Sequence, residues 1–308
     1  MGERTGIAWT DHTWSPWIGC TEVSPGCDNC YARELDKRHR FGGGVHWGAG
    51  VPRYRTKDWK KPLSWNRAAE KLGVRRTVFP SLCDPFDNEV PPRWRMEFFD
   101  LIGQTPHLIW LLLTKRIGNA ERYVPWSLSP PPNVWLGASV VNQAEADRDL
   151  AKLLATPATK RFVSYEPGLG PADFSRWLPD PALAHLLATF PAGAFPLPAH
   201  LTPRAMLDWI IVGGESSQGG VKARPFDVAW ARQTVAQCKA AGVPVFVKQL
   251  GSSFCDTENG IAGAGWAHDQ HHLSLIREGS ISRPTYLRDR AGADPAEWPE
   301  DLRVQEFP

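Results

Sequence analysis

From residue 75 onward the chain alternates short, nearly continuous apolar runs with amphipathic stretches. The runs are RRTVFPSLCD (75–84), HLIWLLLTK (107–115), NVWLGASV (133–140), KRFVSYEP (160–167), WIIVGGES (209–216) and VPVFVKQLG (243–251). Each has strand length and lacks the polar alternation of a half-solvated strand, so both faces are expected to be buried. Helix signals stand between the runs. PPRWRMEFFDLIGQ (91–104) opens on prolines, which suit a first turn. NQAEADRDLAKLLAT (142–156) begins with an Asn cap and sets Leu150, Leu153 and Leu154 at helical spacing. FDVAWARQTVAQCKAAG (226–242) offers Asp227 as an N-cap and stops at a glycine. A strand near TWSPWIG (13–19) and a helix over 29–40 bring the total to about seven βα units. The pattern predicts an α/β fold with a parallel sheet: a (β/α) barrel or partial TIM barrel, with a doubly wound open sheet as the alternative.

Residues 1–250 carry this barrel pattern. Two stretches interrupt it as insertions: a Gly-rich one near 41–62, opening with FGGGVHWGAGVPRY (41–54), and the Pro- and Ala-rich PDPALAHLLATFPAGAFPLPAHLTPRA (179–205). Residues 251–308 have weak periodicity and read as an extension that packs on the barrel. The start, MGERTGIAWTDHTW, lacks the apolar core of a secretory signal. The run LIWLLL (108–113) falls far short of the ~20 residues that cross a bilayer. Three of the six cysteines, Cys83, Cys238 and Cys255, are scattered, which does not suit a secreted disulfide scaffold. A reduced, cytoplasmic compartment is expected, with no membrane partner. The net charge of +2 and pI of about 8.2 permit anionic ligands without demanding nucleic acid.

What ends each run carries the functional signal. The ends are Ser81, Cys83 and Asp84; Thr114, Lys115 and Arg116; Ser139; Ser164 and Glu166; Gly213, Gly214, Glu215 and Ser216; Lys248 and Gln249. In a βα barrel these carboxyl ends converge on one face, where ligands and chemistry sit. One polar strand end means nothing; six in succession point to a site.

The stretch WIGCTEVSPGCDNCYARE (17–34) gathers Cys20, Cys27 and Cys30 with the spacing C-x6-C-x2-C. A structural zinc would need a fourth ligand, His12 or His39. A redox pair, Cys27 and Cys30, would leave Cys20 unused. An iron–sulfur cluster held by three thiolates would keep one iron open. The loop follows the first proposed strand and so falls on the ligand-binding rim, which favours the cluster.

Three cysteines after strand one of a βα barrel, ending CYAR (30–33), resemble the radical S-adenosylmethionine (radical SAM) superfamily. The ending C-x-x-C-Y-A-R resembles its spore photoproduct lyase-like branch, as do SLCDPFDNE (81–89) and Thr114-Lys115. The superfamily's usual spacing is C-x3-C-x2-C, so the first gap is wider here, with Pro25-Gly26 suited to turn it. As a whole the chain resembles a phage- and prophage-associated family of unknown function. WTDHTWSPWIGC, CDPFDNEVP, LLLTKR, WLGASVVNQ, SYEPGLGP, IIVGGES, FVKQLG and DRAGADPAEWPEDLRVQEFP carry that likeness. This family often occurs beside a three-cysteine-motif partner protein.

The resemblance implies a [4Fe–4S] cluster on Cys20, Cys27 and Cys30, with S-adenosyl-L-methionine chelated at the open iron and cleaved by one electron. It implies an electron donor such as flavodoxin or ferredoxin. Tyr31 is then a candidate for packing near the adenine. Asp84 and Ser139 are candidates for the methionine amino group or ribose hydroxyls, and Gly213 and Gly214 for close backbone approach to the cofactor. Glu166, Glu215 and Lys248 are candidates for the cofactor carboxylate, the ribose or the substrate. Cys83 is a rim thiol able to donate a hydrogen atom. The substrate suggested is a nucleic-acid base or nucleotide. Arg53, Arg55, Lys57, Lys60 and Lys61, interleaved with Tyr54 and Trp59, read as a phosphate-and-stacking contact or as a solvated loop. Two other classes stay open: a zinc-dependent hydrolase, with His268, His271 and His272 as tail ligands, and a metal-stabilised nucleic-acid- or protein-binding module without catalysis.

Overall fold

The computed structural model describes residues 5–180, 182, 206–217, 220–259, 261–263, 283–285 and 287–308. Short strands β1 (His12–Thr13) and β2 (Trp17–Ile18) lead to helix α1 (Tyr31–His39), strand β3 (Tyr54–Arg55) and helix α2 (Lys61–Leu72). Then come β4 (Arg76–Phe79), α3 (Pro92–Gly103), β5 (Leu108–Thr114), the short α4 (Ala120–Tyr123), β6 (Val134–Ser139), α5 (Gln143–Ala155) and β7 (Lys160–Tyr165). After them lie β8 (Trp209–Gly213), β9 (Phe226–Asp227), α6 (Val228–Ala241), β10 (Val245–Gln249) and β11 (Phe254–Asp256). Strands β12 (Ile261–Gly263) and β13 (Arg283–Thr285) follow. The insertion at 179–205 lies almost entirely outside the described residues, and His268, His271 and His272 lie wholly outside them.

Seven strands form one sheet in the order β1-β4-β5-β6-β7-β8-β10, every neighbouring pair parallel. Each new strand adds to the same side of its predecessor. That is barrel connectivity; a doubly wound sheet would reverse direction partway. The sheet curls into an open half-barrel, a partial β/α barrel. Along the outer edge of β10, Val247 donates its N–H to the Val304 carbonyl (2.8 Å), and Glu306 donates to the Val245 carbonyl (3.0 Å). These contacts cover backbone groups that would otherwise template pairing with another chain.

The caps expected from sequence form. The Asn142 side chain accepts from the Glu145 N–H at the start of α5. Asp227 accepts from Ala229 at the start of α6, and Gly242 ends that helix at φ +67°. Helix α2 lies outside the sequence expectation, although Pro62 in its first turn and Gly73 at its end are the same signals. The strand expected over 13–19 divides: β1 joins the large sheet, while β2 pairs antiparallel with β3.

Period-two alternation sorts the strand residues into two cores. Leu108, Trp110 and Leu112 of β5, Ile210 and Val212 of β8, and Val245 and Val247 of β10 pack in the large cluster shared with the helices. Ile109, Leu111 and Leu113, Trp135, Phe162, Trp209, Ile211 and Phe246 fill a second cluster with Trp9 and Phe79. These lie on the opposite face of the same strands, inside the curl. Continuing each strand two residues at a time toward its carboxyl end reaches Lys115, Ser139, Ser164 and Glu166, Glu215, and Lys248. The inner face therefore runs from an aromatic floor to a polar rim.

Candidate functional site

A cavity of about 370 Å³ opens above that floor. Cys20, Cys27, Cys30, Tyr31, Cys83, Asp84, Ser139, Glu166, Gly214, Glu215 and Lys248 all line it. Of the residues expected to hold the cluster, the cofactor or the substrate at the strand ends, Gly213 is absent from its wall. A side chain at Gly213 would press on the Gln249 carbonyl at 3.0 Å, and one at Gly214 would collide with the Leu250 carbonyl. Both glycines let the ends of β8 and β10 approach closely.

The cysteine loop is seated by backbone geometry first. Gly19 adopts φ +115°, donates its N–H to the Leu82 carbonyl (3.1 Å) and forms a parallel bridge with Cys83. Any side chain there would strike the His46 backbone. The widened gap between Cys20 and Cys27 contains a turn at Pro25–Cys27, with the Ser24 hydroxyl accepting from the Gly26 N–H. A Cβ at Gly26 would lie 2.7 Å from Val141 and 3.0 Å from the Lys115 stem, so glycine brings this loop against the β5 end.

Ionic contacts finish the assembly. Arg116 donates from Nη1 to Cys20 Sγ (3.2 Å) and to Asp84 (3.2 Å), and from Nη2 to the Thr21 carbonyl. Asp84 also accepts from the Thr114 hydroxyl (2.7 Å) and from the N–H groups of Phe86 (2.9 Å) and Lys115 (3.2 Å). Arg224 grips both Glu215 oxygens and reaches the Pro25 carbonyl (2.7 Å) and Asp28 (3.1 Å). Asn29 donates to Glu215 as well (2.8 Å). Thus Asp84 acts on the cysteine loop through Arg116, and Glu215 through Arg224 and directly on Asn29. Replacing Arg224 by alanine leaves Glu215 buried without its ion-pair partner. The expected result is a loss of about 2 kcal/mol and faster amide exchange over 25–30. Unchanged protection there would refute the clamp.

Across the wall, Lys248 pairs with Glu166, and Lys115 donates from Nζ to the Ser139 hydroxyl (2.7 Å). Among the described residues the Lys115 ammonium has no carboxylate partner, so it stands on the wall as a cation held by a hydroxyl. The Tyr31 hydroxyl donates to the Ser81 carbonyl (2.7 Å). Burial, reinforced by Asp84, pushes the Cys20 thiol up to about 12. Burial raises Cys30 and Cys83 too. Metal loading would draw the protons from the ligating thiols.

The donor set fits a sulfur-ligated cluster: three soft thiols line one cavity, with a guanidinium and an ammonium beside them. Among the described residues, no three His, Cys, Asp or Glu side chains converge on a point that would hold a single ion. His12 stacks on Trp65 (4.2 Å between centroids) and His39 lies against Phe41; neither lines the cavity.

Two arginines of the basic run at 53–61 are taken up by contacts within the fold. Arg53 is buried, pairs with Asp87 (2.6 Å) and donates to three carbonyls of the 46–51 loop. Arg55 pairs with Glu97 and lies over Trp59. Sequence adjacency suggested a patch because side-chain direction is invisible in a loop. Arg224 and Asn29 were not singled out from sequence, since their partner Glu215 is far along the chain from Asn29 and reached only through the fold.

No described helix is long and apolar enough to cross a membrane. No curated protein and no solved structure shows significant similarity to the chain. One family model, described as protein of unknown function (DUF5131), matches residues 4–278. The chain belongs to that family.

Proposed function

We propose that this protein is a radical SAM enzyme whose cluster is held by Cys20, Cys27 and Cys30. One observation carries the reading: the three thiols line a single cavity at the carboxyl rim of an open parallel half-barrel, facing the polar inner ends of β5 to β10. A [4Fe–4S] cluster held by these thiols would supply one electron for reductive cleavage of S-adenosylmethionine, and so would start radical chemistry on a substrate. The chain's own residues provide the setting. Arg116 and Arg224 fix the loop, Lys115 adds positive charge near the thiols, and Trp9, Phe79 and Leu113 form an apolar floor that excludes water. Ser139, Glu166 and Lys248 present polar groups on the same cavity wall, suited to orienting S-adenosylmethionine or substrate. The pairing of Lys248 with Glu166 leaves that part of the wall neutral. An electron donor of the flavodoxin or ferredoxin type and a nucleic-acid base or nucleotide substrate belong to the same proposal.

Anaerobic reconstitution tests it. The expected result is about four irons per chain, and release of 5′-deoxyadenosine when dithionite and S-adenosylmethionine are added. One zinc and no iron would overturn the cluster. A fully loaded, reduced protein that leaves S-adenosylmethionine intact would overturn the activity.

A further inference from the structure

Arg116 occupies a place that a purely structural role explains poorly. Its guanidinium is buried, with a side chain 7% exposed, and one nitrogen is shared between a carboxylate and a sulfur. A neutral thiol is a weak acceptor for a guanidinium, whereas a metal-bound thiolate accepts a charge-assisted bond. The placement is over-determined: the Arg116 N–H donates to the Thr114 hydroxyl (2.8 Å), which itself donates to Asp84. The second arm is held on the Thr21 carbonyl, next to Cys20. The same few groups that aim the guanidinium at the sulfur also set a buried carboxylate just behind it.

We infer that Arg116 and Asp84 set the reduction potential of the cluster by acting in opposite senses on the Cys20 sulfur. The inference rests on the cluster reading above. Reduction adds one negative charge to the cluster. A buried cation donating to a ligand sulfur stabilises the reduced form and raises the potential; a buried carboxylate nearby lowers it. Arg116 is therefore a positioning and tuning residue. It touches a ligand, and its effect is read in the potential.

The test is a redox titration of reconstituted protein, followed by electron paramagnetic resonance without S-adenosylmethionine, alongside iron content. Arg116→Leu removes charge and donor together. The expected shift is negative, with the reduced-to-oxidised ratio at the wild-type midpoint falling about tenfold, about 59 mV for a one-electron couple. Arg116→Lys keeps the charge but loses the fork, and shifts the same way by less. Asp84→Asn shifts the potential the other way. Disrupted packing gives no reason for opposite signs. Variants with full iron at the wild-type midpoint, or an Asp84→Asn shift of the same sign as Arg116→Leu, would overturn the inference and leave the cluster reading standing. If Arg116→Leu loses its iron, Arg116→Lys decides. If neither Arg116 variant keeps iron, Asp84→Asn decides, and a potential that is not raised overturns the inference. Wild-type protein that takes up no iron overturns both.

Discussion

Alanine at any one of Cys20, Cys27 or Cys30 is expected to reduce bound iron from about four per chain to near zero. The effect is large because each thiolate is one of only three anchors for the cluster. Among the described residues, Cys83 is the other thiol on the cavity wall; it lies outside the cysteine loop, bridged to Gly19 beside Cys20, with its sulfur close to the Pro80 carbonyl. Cys238 and Cys255 are buried elsewhere. Cys83→Ala is therefore the matched control: it removes a cavity thiol and should retain iron. Cobalt-free anaerobic reconstitution, iron and sulfide quantification and the visible absorbance of the cluster read the outcome. Full iron in any of the three variants would remove that cysteine from the ligand set. Iron loss in Cys83→Ala as well would point to a different set of ligands. The fold of each variant should survive, because the loop is held by Gly19, Arg116 and Arg224 contacts that do not require the sulfur atoms.

Arg53→Met is expected to destabilise the fold by about 3–5 kcal/mol, with the melting temperature falling on the order of 10 °C. Arg53 has a fully buried side chain and pairs with Asp87, itself 1% exposed. Its Nη1 donates to the carbonyls of His46 (3.2 Å), Gly48 (3.1 Å) and Val51 (2.8 Å), and Nη2 to the Thr21 hydroxyl (2.6 Å). Methionine replaces much of the stem but leaves a buried carboxylate unpaired and takes the arginine donor from the His46 and Val51 carbonyls, while the Gly48 carbonyl still accepts from the Thr21 hydroxyl. The cost of a broken buried pair is mainly that residual charge. Asp87→Asn should recover part of the loss when combined with Arg53→Met. Chemical denaturation of the single and double variants measures it. A single variant as stable as wild type would refute the structural role and reopen the phosphate-contact reading. Thr21 joins this network to Arg116, so the loop that carries Cys20 is held from two sides.

Much of the site was legible because strand periodicity is local. The inner parity of β5 links Ile109, Leu111 and Leu113 to Lys115, and the parity of β7 links Phe162 to Ser164 and Glu166. Once a run is read as a buried strand, the polar residue at its end has a defined face. The caps at Asn142 and Asp227 were legible for the same reason, since donor and acceptor lie within three residues. Helix α2 shows the limit of that reading: its signals are present, but the Gly-rich stretch before it made the region look like continuous loop.

Long-range pairing is the part that local pattern does not encode. Arg53 sits in a basic run, and only the fold shows Asp87 beneath it, 34 residues away. Arg224 reads as an ordinary charged residue until the β8 end and the cysteine loop, 199 residues distant at Pro25, are brought together around it. The division at 13–19 has a similar cause: β2 leaves the large sheet because β3, supplied by the 41–62 insertion, pairs with it. By itself the sequence determined the order of the long sheet strands with helices α1, α3, α5 and α6, the parallel sheet and which residues stand at its carboxyl rim, because each follows from periodicity along one segment. The tertiary structure decided the sequential strand order, the open curl and the arginines that clamp the three cysteines, because burial and charge pairing depend on neighbours the chain supplies from far away.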